Sequence, residues 1–148
     1  MKVDYNNCYS HFVFVTADRI PVITEEYRPR IEKYITGIVA NQQSKMYAVW
    51  INPEHAHFLA SRSPKISEER LATIVADSSQ LFINNNKLTP THFEWQQSCA
   101  AFSVSKSDID RVCRYILNQA EHHKNMTFAQ EYDKMMNHYL KGSRWDMT

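Results

Sequence analysis

The sequence predicts a single α+β domain of the ferredoxin-like plan, β-α-β-β-α-β, with an antiparallel sheet, helices on one face and a C-terminal helix. Three observations carry that prediction. Four short segments have strand character, two segments between them have helical periodicity, and further helical periodicity follows the fourth strand. The 148 residues suit one domain, 1–148, and a hydrophobic content of 43% is enough for a packed core rather than a disordered chain.

The first strand spans residues 8–16, where Phe12 and Phe14 mix with β-branched Val13, Val15 and Thr16. Pro21 ends the extended run. From about Glu25 to Gln43, Tyr27, Ile31, Tyr34, Ile35 and Ile38 recur at three- and four-residue steps, which predicts a helix. Lys45–Ile51 and His55–Ser61 read as two strands joined by the turn Asn52, Pro53, Glu54, because proline is excluded from a central strand. Ser67 is placed to cap a second helix with Glu68 and Glu69 in its first turn, running to about Asn84 with Leu71, Ile74, Val75, Ser78, Leu81 and Phe82 on one side. The fourth strand lies near 100–104. Ser107 then caps a helix running to about His122, and a last helix spans about Thr127 to Leu140. Glycine is scarce, at two residues, so turns must use Asn, Asp, Ser and Pro.

The bulk composition excludes several classes. The three cysteines, Cys8, Cys99 and Cys113, have no CxxC spacing, which argues against a disulfide scaffold or zinc knuckle and fits a reducing cytoplasm. Cys99 and Cys113 are expected to be small buried residues. No apolar run approaches the ~20 residues of a membrane span, and Met1–Asn7 has no signal-peptide core, so no membrane is expected. A formal net charge of +1 means that any polyanion must be met by local patches.

The residues able to do chemistry fall in two places. On a strand the side-chain period is two, so His55 and His57 share one face while Ala56, Phe58 and Ala60 point to the other. The second set reads as core beneath the helices, leaving the histidines on an open face. Imidazoles so placed converge on one point and suit a divalent transition metal. In the helix after Ser107, Ile109, Val112, Cys113, Ile116 and Ala120 form an apolar stripe, and Arg111, Tyr115, Gln119 and His122 fall along its flank. The amide oxygen of Gln119, one turn from Tyr115, can join the two histidines on a metal. A phenol with an ordinary pKa near 10 is a poor nucleophile, and a metal-held phosphate compensates by becoming more electrophilic. Two nitrogens and one amide oxygen suit Mg²⁺ or Mn²⁺.

Several segments together resemble the HUH-class, single-tyrosine transposases of small bacterial insertion sequences, the insertion-sequence-200-like transposases. They are His11–Thr16, Pro53–Leu59 with its His-hydrophobe-His core, Phe93–Gln96 followed by Ala101–Val104, Tyr115–His123, and Thr127–Tyr132. The resemblance spans roughly residues 8 to 140 with its parts in order. It implies a dimeric enzyme that cuts and rejoins single-stranded DNA at hairpin-bearing ends of a mobile element through a 5′-phosphotyrosine. Tyr115 would be the nucleophile and His55, His57 and Gln119 the metal ligands, with active sites that the two protomers of a homodimer can share. The chain departs from the family's pattern at Glu54, where Asp is usual, at Ser98-Cys99, where a Gly-aromatic pair is common, and at Ala76, near which a lysine often stands. Lys106, Arg111 and Arg114 around Tyr115, and Arg62 and Lys65 after the histidine strand, are candidate phosphate contacts, as is the cluster Arg28, Arg30 and Lys33. A catalytically inactive or repurposed nucleic-acid-binding module is the alternative reading, motivated by the low charge and by Ala76-Asp77.

Overall fold

The computed structural model describes residues 1–142, Trp145 and Met147. Four strands, β1 (Tyr9–Val15), β2 (Lys45–Ile51), β3 (His55–Ser61) and β4 (Ala100–Val104), form one antiparallel sheet in the order β2-β3-β1-β4. That is the ferredoxin-like order, with β1 and β3 central and paired from Tyr9 opposite Ser61 to Val15 opposite His55.

Helices α1 (Arg28–Asn41) and α2 (Glu68–Asn85) cover one face. Their apolar stripes meet Phe12, Phe14, Ala56, Phe58 and Ala60, the alternation read from the sequence. Helix α1 is shorter than its periodicity suggested because Pro29 fits the first turn, where a backbone N–H has no partner to lose. Ser67 caps α2 by accepting from the Arg70 backbone N–H at 3.0 Å. The buried stripe of α2 is Leu71, Ala72, Val75, Ser79 and Ile83, whereas Leu81 is 62% exposed. The helix is thus rotated from the side inferred from its largest apolar residues.

The opposite face is not open. Three further helices, α3 (Ile109–Leu117), α4 (Gln119–Asn125) and α5 (Phe128–Lys141), roof it. Val13, Val15, Leu59, Phe102 and Val104 pack there against Val112, Tyr115, Ile116, Phe128 and Met135 in a second core. Strands β1 and β3 are therefore buried on both sides, and both histidines of β3 lie beneath helices.

The expected single helix from Ser107 to His122 is two. A 3₁₀ turn over Lys106–Asp108 leads into α3, whose N-cap residue is Asp108 with no side-chain cap, so Ser107 lies inside the turn. The chain breaks again at Asn118 (φ −103°, ψ 22°), and Ala120, expected in the buried stripe, is exposed. Cys99 is exposed and Cys113 half-buried, so neither is the buried apolar residue expected from its type. Thr127 caps α5 through a reciprocal pair with Gln130, and Gly142 ends it in the left-handed conformation at φ 71°. No helix among the described residues is long and apolar enough to cross a membrane.

Candidate metal and tyrosine centre

Strand β3 aims His55 and His57 into the second core, and both are fully buried. Their Nε2 atoms each lie 3.1 Å from the same atom, Glu131 Oε1, delivered by α5. The other oxygen, Glu131 Oε2, accepts a hydrogen bond from the Tyr115 hydroxyl. Gln119 donates its amide N–H to that same Oε2 at 2.9 Å, and its own Oε1 accepts from Asn52 Nδ2 at 3.1 Å. One carboxylate thus ties the two histidines, the tyrosine and the glutamine together. The break at Asn118 does not separate Tyr115 from Gln119, because both reach Glu131 from either side of it.

A second layer of contacts orients the imidazoles. Glu54 Oε1 accepts from His55 Nδ1 at 2.6 Å, and His57 Nδ1 lies 2.9 Å from His11 Nε2. His11 in turn is 3.2 Å from the Tyr139 hydroxyl. A carboxylate behind the distal nitrogen is the usual support of a metal-binding histidine, because it fixes the tautomer and turns the Nε2 lone pair inward. Glu54 fills that role from the position where the family usually has Asp. His123 Nε2 lies 3.2 Å from Gln119 Oε1 and 3.4 Å from Glu131 Oε1, joining the cluster from α4. His122 lies against the Tyr115 ring at 4.8 Å, with its Nε2 buried and without a hydrogen-bond partner among the described residues.

Burial and the surrounding charges set the protonation states. Burial drives the Glu131 carboxyl upward, but attraction to His57 and hydrogen bonds from His123, His55 and His57 outweigh it and hold it well below the carboxylate range. Burial and the adjacent Glu131 charge push the Tyr115 phenol far up. Burial lowers His57, and lowers His11 further with the help of His57. His55 is raised: burial pulls it down, yet hydrogen bonds to Glu131 and Glu54 prevail. The one buried negative charge of Glu131 calls for a positive partner, which a proton on His55 or a cation held among the imidazoles would supply.

The donor set suits a divalent ion. One nitrogen each from His55 and His57 and one oxygen of Glu131 lie within 4.8 Å of one another, all buried. Two imidazole nitrogens and a carboxylate oxygen are a donor set that divalent metals accept. The structure brings the expected His55, His57, Tyr115 and Gln119 together on Glu131, a residue the sequence analysis did not single out. The signal was present: Phe128, Glu131 and Met135 stand at helical spacing, and an acid inside an apolar stripe is rarely buried without a partner. The Arg19 guanidinium lies 5.4 Å over the Phe128 ring, whose own stacking partner at 3.8 Å is His55.

The candidate phosphate contacts are scattered. Lys106, Arg111 and Arg114 are exposed around α3, with Arg111 3.5 Å from Asp108. The Arg62 guanidinium is occupied within the β3–α2 loop, by the Ile66 carbonyl at 3.1 Å and Glu68 at 3.3 Å, while Lys65 is exposed. The departures at Ala76 and Ser98-Cys99 meet on one cavity of about 440 Å³ between α2 and the segment before β4.

Residues 4–119 match the family model described as Transposase IS200 like. No curated protein matches the chain. Among solved structures, a protein assigned as a transposase from Deinococcus radiodurans R1 superposes with a TM-score of 0.61 at 18% identity, covering 80% of this chain and 96% of its own. A REP-associated tyrosine transposase bound to a REP hairpin gives a TM-score of 0.61 at 14% identity, covering 100% of this chain and 92% of its own. At those identities the structures speak for the fold, while the family model covers most of the sequence: the chain belongs to the IS200-like transposase family.

Proposed function

We propose that the protein cleaves and rejoins single-stranded DNA at the ends of a mobile element, with Tyr115 as nucleophile. The observation that carries this reading is the meeting of the Tyr115 hydroxyl and both histidine Nε2 atoms on the two oxygens of one buried carboxylate, Glu131. A hydrolase using water as nucleophile has no need to bury a tyrosine hydroxyl there.

In the forward step the Tyr115 oxygen attacks the scissile phosphorus. The new bond joins the Tyr115 oxygen to phosphorus on the 5′ side, the P–O3′ bond breaks, and the phenolic proton passes through water to the departing 3′ oxygen. In the reverse sense a 3′ hydroxyl attacks the phosphotyrosine and regenerates Tyr115. His55, His57 and Glu131 would hold Mg²⁺ or Mn²⁺, with Gln119 a further oxygen donor once its amide is turned over. That ion supplies positive charge to a phosphate oxygen and lowers the barrier to forming phenolate. His55, His57, Tyr115 and Gln119 all meet within one chain, so a homodimer is not needed to assemble them. Hairpin-bearing DNA ends are the proposed partner, in line with the hairpin bound by the REP-associated relative.

Incubation with a single strand carrying the element end and Mn²⁺ should yield a covalent protein–DNA adduct on a denaturing gel. Tyr115→Phe should abolish the adduct and keep most of the binding. An adduct that persists in Tyr115→Phe would remove Tyr115 from its role. A second reading, a nucleic-acid-binding module that no longer cuts, is favoured by one observation: Tyr115 is only 2% exposed and the groups around it are closed off. Mn²⁺ affinity decides between the two readings. Loss of affinity in His57→Ala supports the enzyme, and equal affinity supports the module.

A further inference from the structure

On the far side of the sheet from Tyr115, α1 and α2 frame a groove of about 400 Å³, within the ~300–1,000 Å³ of small-ligand pockets. Gly37 of α1, an exposed position, is among the residues that line it. A glycine there costs the helix ~0.5–1 kcal/mol relative to alanine, and one of only two glycines in the chain is used for it. Packing does not explain the choice, because a Cβ at this position would meet nothing within 4 Å. The empty space belongs to the groove.

The walls have a consistent chemistry. Tyr34 and Phe82 are stacked face to face, with ring centroids 3.9 Å apart and planes at 7°. Tyr34 nevertheless remains 37% exposed. Arg30 lies over the other ring at 5.4 Å and is anchored by Asn86 at 2.9 Å. Lys33 lines the groove one turn away, and Asn41 presents an amide at its far end. Among the described residues neither Arg30 nor Lys33 forms an ion pair, whereas Arg28 on the same helix is paired with Glu25 and Glu32. An aromatic platform with unneutralised cations on its rim is what a single nucleic-acid strand requires: a ring for an unpaired base and charge for the flanking phosphates.

We propose that this groove binds an unpaired nucleotide of the DNA substrate. The base stacks on Tyr34 above Gly37, and Lys33 and Arg30 meet the adjoining phosphates. The ligand class rests on the DNA-processing reading above, but the site is separate from the tyrosine centre and holds DNA without cutting it.

The test is fluorescence anisotropy of the full-length protein with labelled oligothymidine and with a blunt duplex of the same length. Gly37→Leu fills the groove with a good helix former, so its melting temperature should hold or rise. Its affinity for the single strand should fall roughly tenfold, the loss of one stacked base. Tyr34→Leu should do the same and Tyr34→Phe should retain binding. Lys33→Gln should reduce the slope of log K against log[salt] by about 0.7. Duplex affinity should change little in Gly37→Leu. The proposal is overturned by single-strand affinity within twofold of wild type in a folded Gly37→Leu, by an equal loss on duplex, or by a change of oligomeric state in that variant, which would make the groove a protein interface. Anisotropy needs no cleavage. A protein that binds through the groove but forms no adduct loses the transposase reading and keeps the site. One that forms the adduct and binds equally well in Gly37→Leu loses the site and keeps the transposase reading.

Discussion

Glu131 is the residue on which the centre turns, and on the proposed reading a metal competes with a proton for His55. Hydrogen bonds to Glu131 and Glu54 raise His55 above its ordinary 6.5, while burial lowers His57 below its own. The sign follows directly. Below the raised pKa of His55 each ion bound releases one proton, so Mn²⁺ affinity should climb about tenfold per pH unit as pH rises towards that pKa. Above it the dependence should flatten, and His57 adds no slope there because it is already neutral. Calorimetric titration from below the ordinary imidazole pKa upward reads this break. Glu54→Gln removes one of the two acceptors that raise His55 and should move the break to lower pH. A flat profile in wild type would mean that His55 is not a ligand. Glu131→Gln should weaken Mn²⁺ at least about tenfold, since it removes the one buried anion that demands a cation. The histidine pair was legible from spacing because both residues lie on β3, and Tyr115 with Gln119 from a helical spacing that survives the break at Asn118. Glu131 was not, because its partners lie on β3, α3 and α4, and only the fold brings α5 over them.

At the level of elements, each helix start is a local device with a measurable contribution, and the two clearest starts serve different ends. Ser67 caps α2 and Thr127 caps α5. Replacing either by alanine should cost ~1 kcal/mol of stability in urea unfolding. The consequences for the centre should differ. Helix α5 carries Glu131 one turn beyond its cap, so fraying in Thr127→Ala loosens the carboxylate that the histidines share, and Mn²⁺ affinity should fall with stability. Helix α2 lies on the other face of the sheet, so Ser67→Ala should leave Mn²⁺ affinity unchanged. Equal effects on affinity would show that the metal centre responds to global stability and not to α5. The cap at Ser67 was readable in the sequence because the chemistry is confined to four residues, whereas Ser107, read in the same way, lies inside the 3₁₀ turn. The break at Asn118 was not readable, since nothing in the local pattern forbids a continuous helix there. It arises where α3 must end on the second core and α4 must turn Gln119 and His123 towards Glu131.

The whole molecule is two cores back to back on one sheet. The α1–α2 core contains the large rings of Phe12, Phe58, Phe93 and Trp95. The α3–α5 core is built around polar groups: His11, His55, His57, Gln119 and Glu131 are all buried within it. Burying so many hydrogen-bonding groups stabilises less than burying hydrocarbon, because the desolvation of each must be offset by its partners. The α5 layer should therefore open at lower free energy than α1 and α2, and its backbone amides should exchange with deuterium first. Since Glu131 is on α5 and His55 and His57 are on β3, an ion bound by all three clips the layer to the sheet. At about a hundredfold excess over its dissociation constant, an ion that binds only the closed form adds ~2.7 kcal/mol against opening. Mn²⁺ should thus slow exchange in α5 by up to about a hundredfold while leaving α1 and α2 little changed, and Glu131→Gln should erase that selective protection. Protection that spread evenly over both layers, or fell only on α1 and α2, would place the ion elsewhere. The same clip bears on how DNA reaches Tyr115. On the proposed reading the layer that carries Glu131 covers the Tyr115 hydroxyl, so it must shift to let a phosphodiester in while His55 and His57 hold the ion.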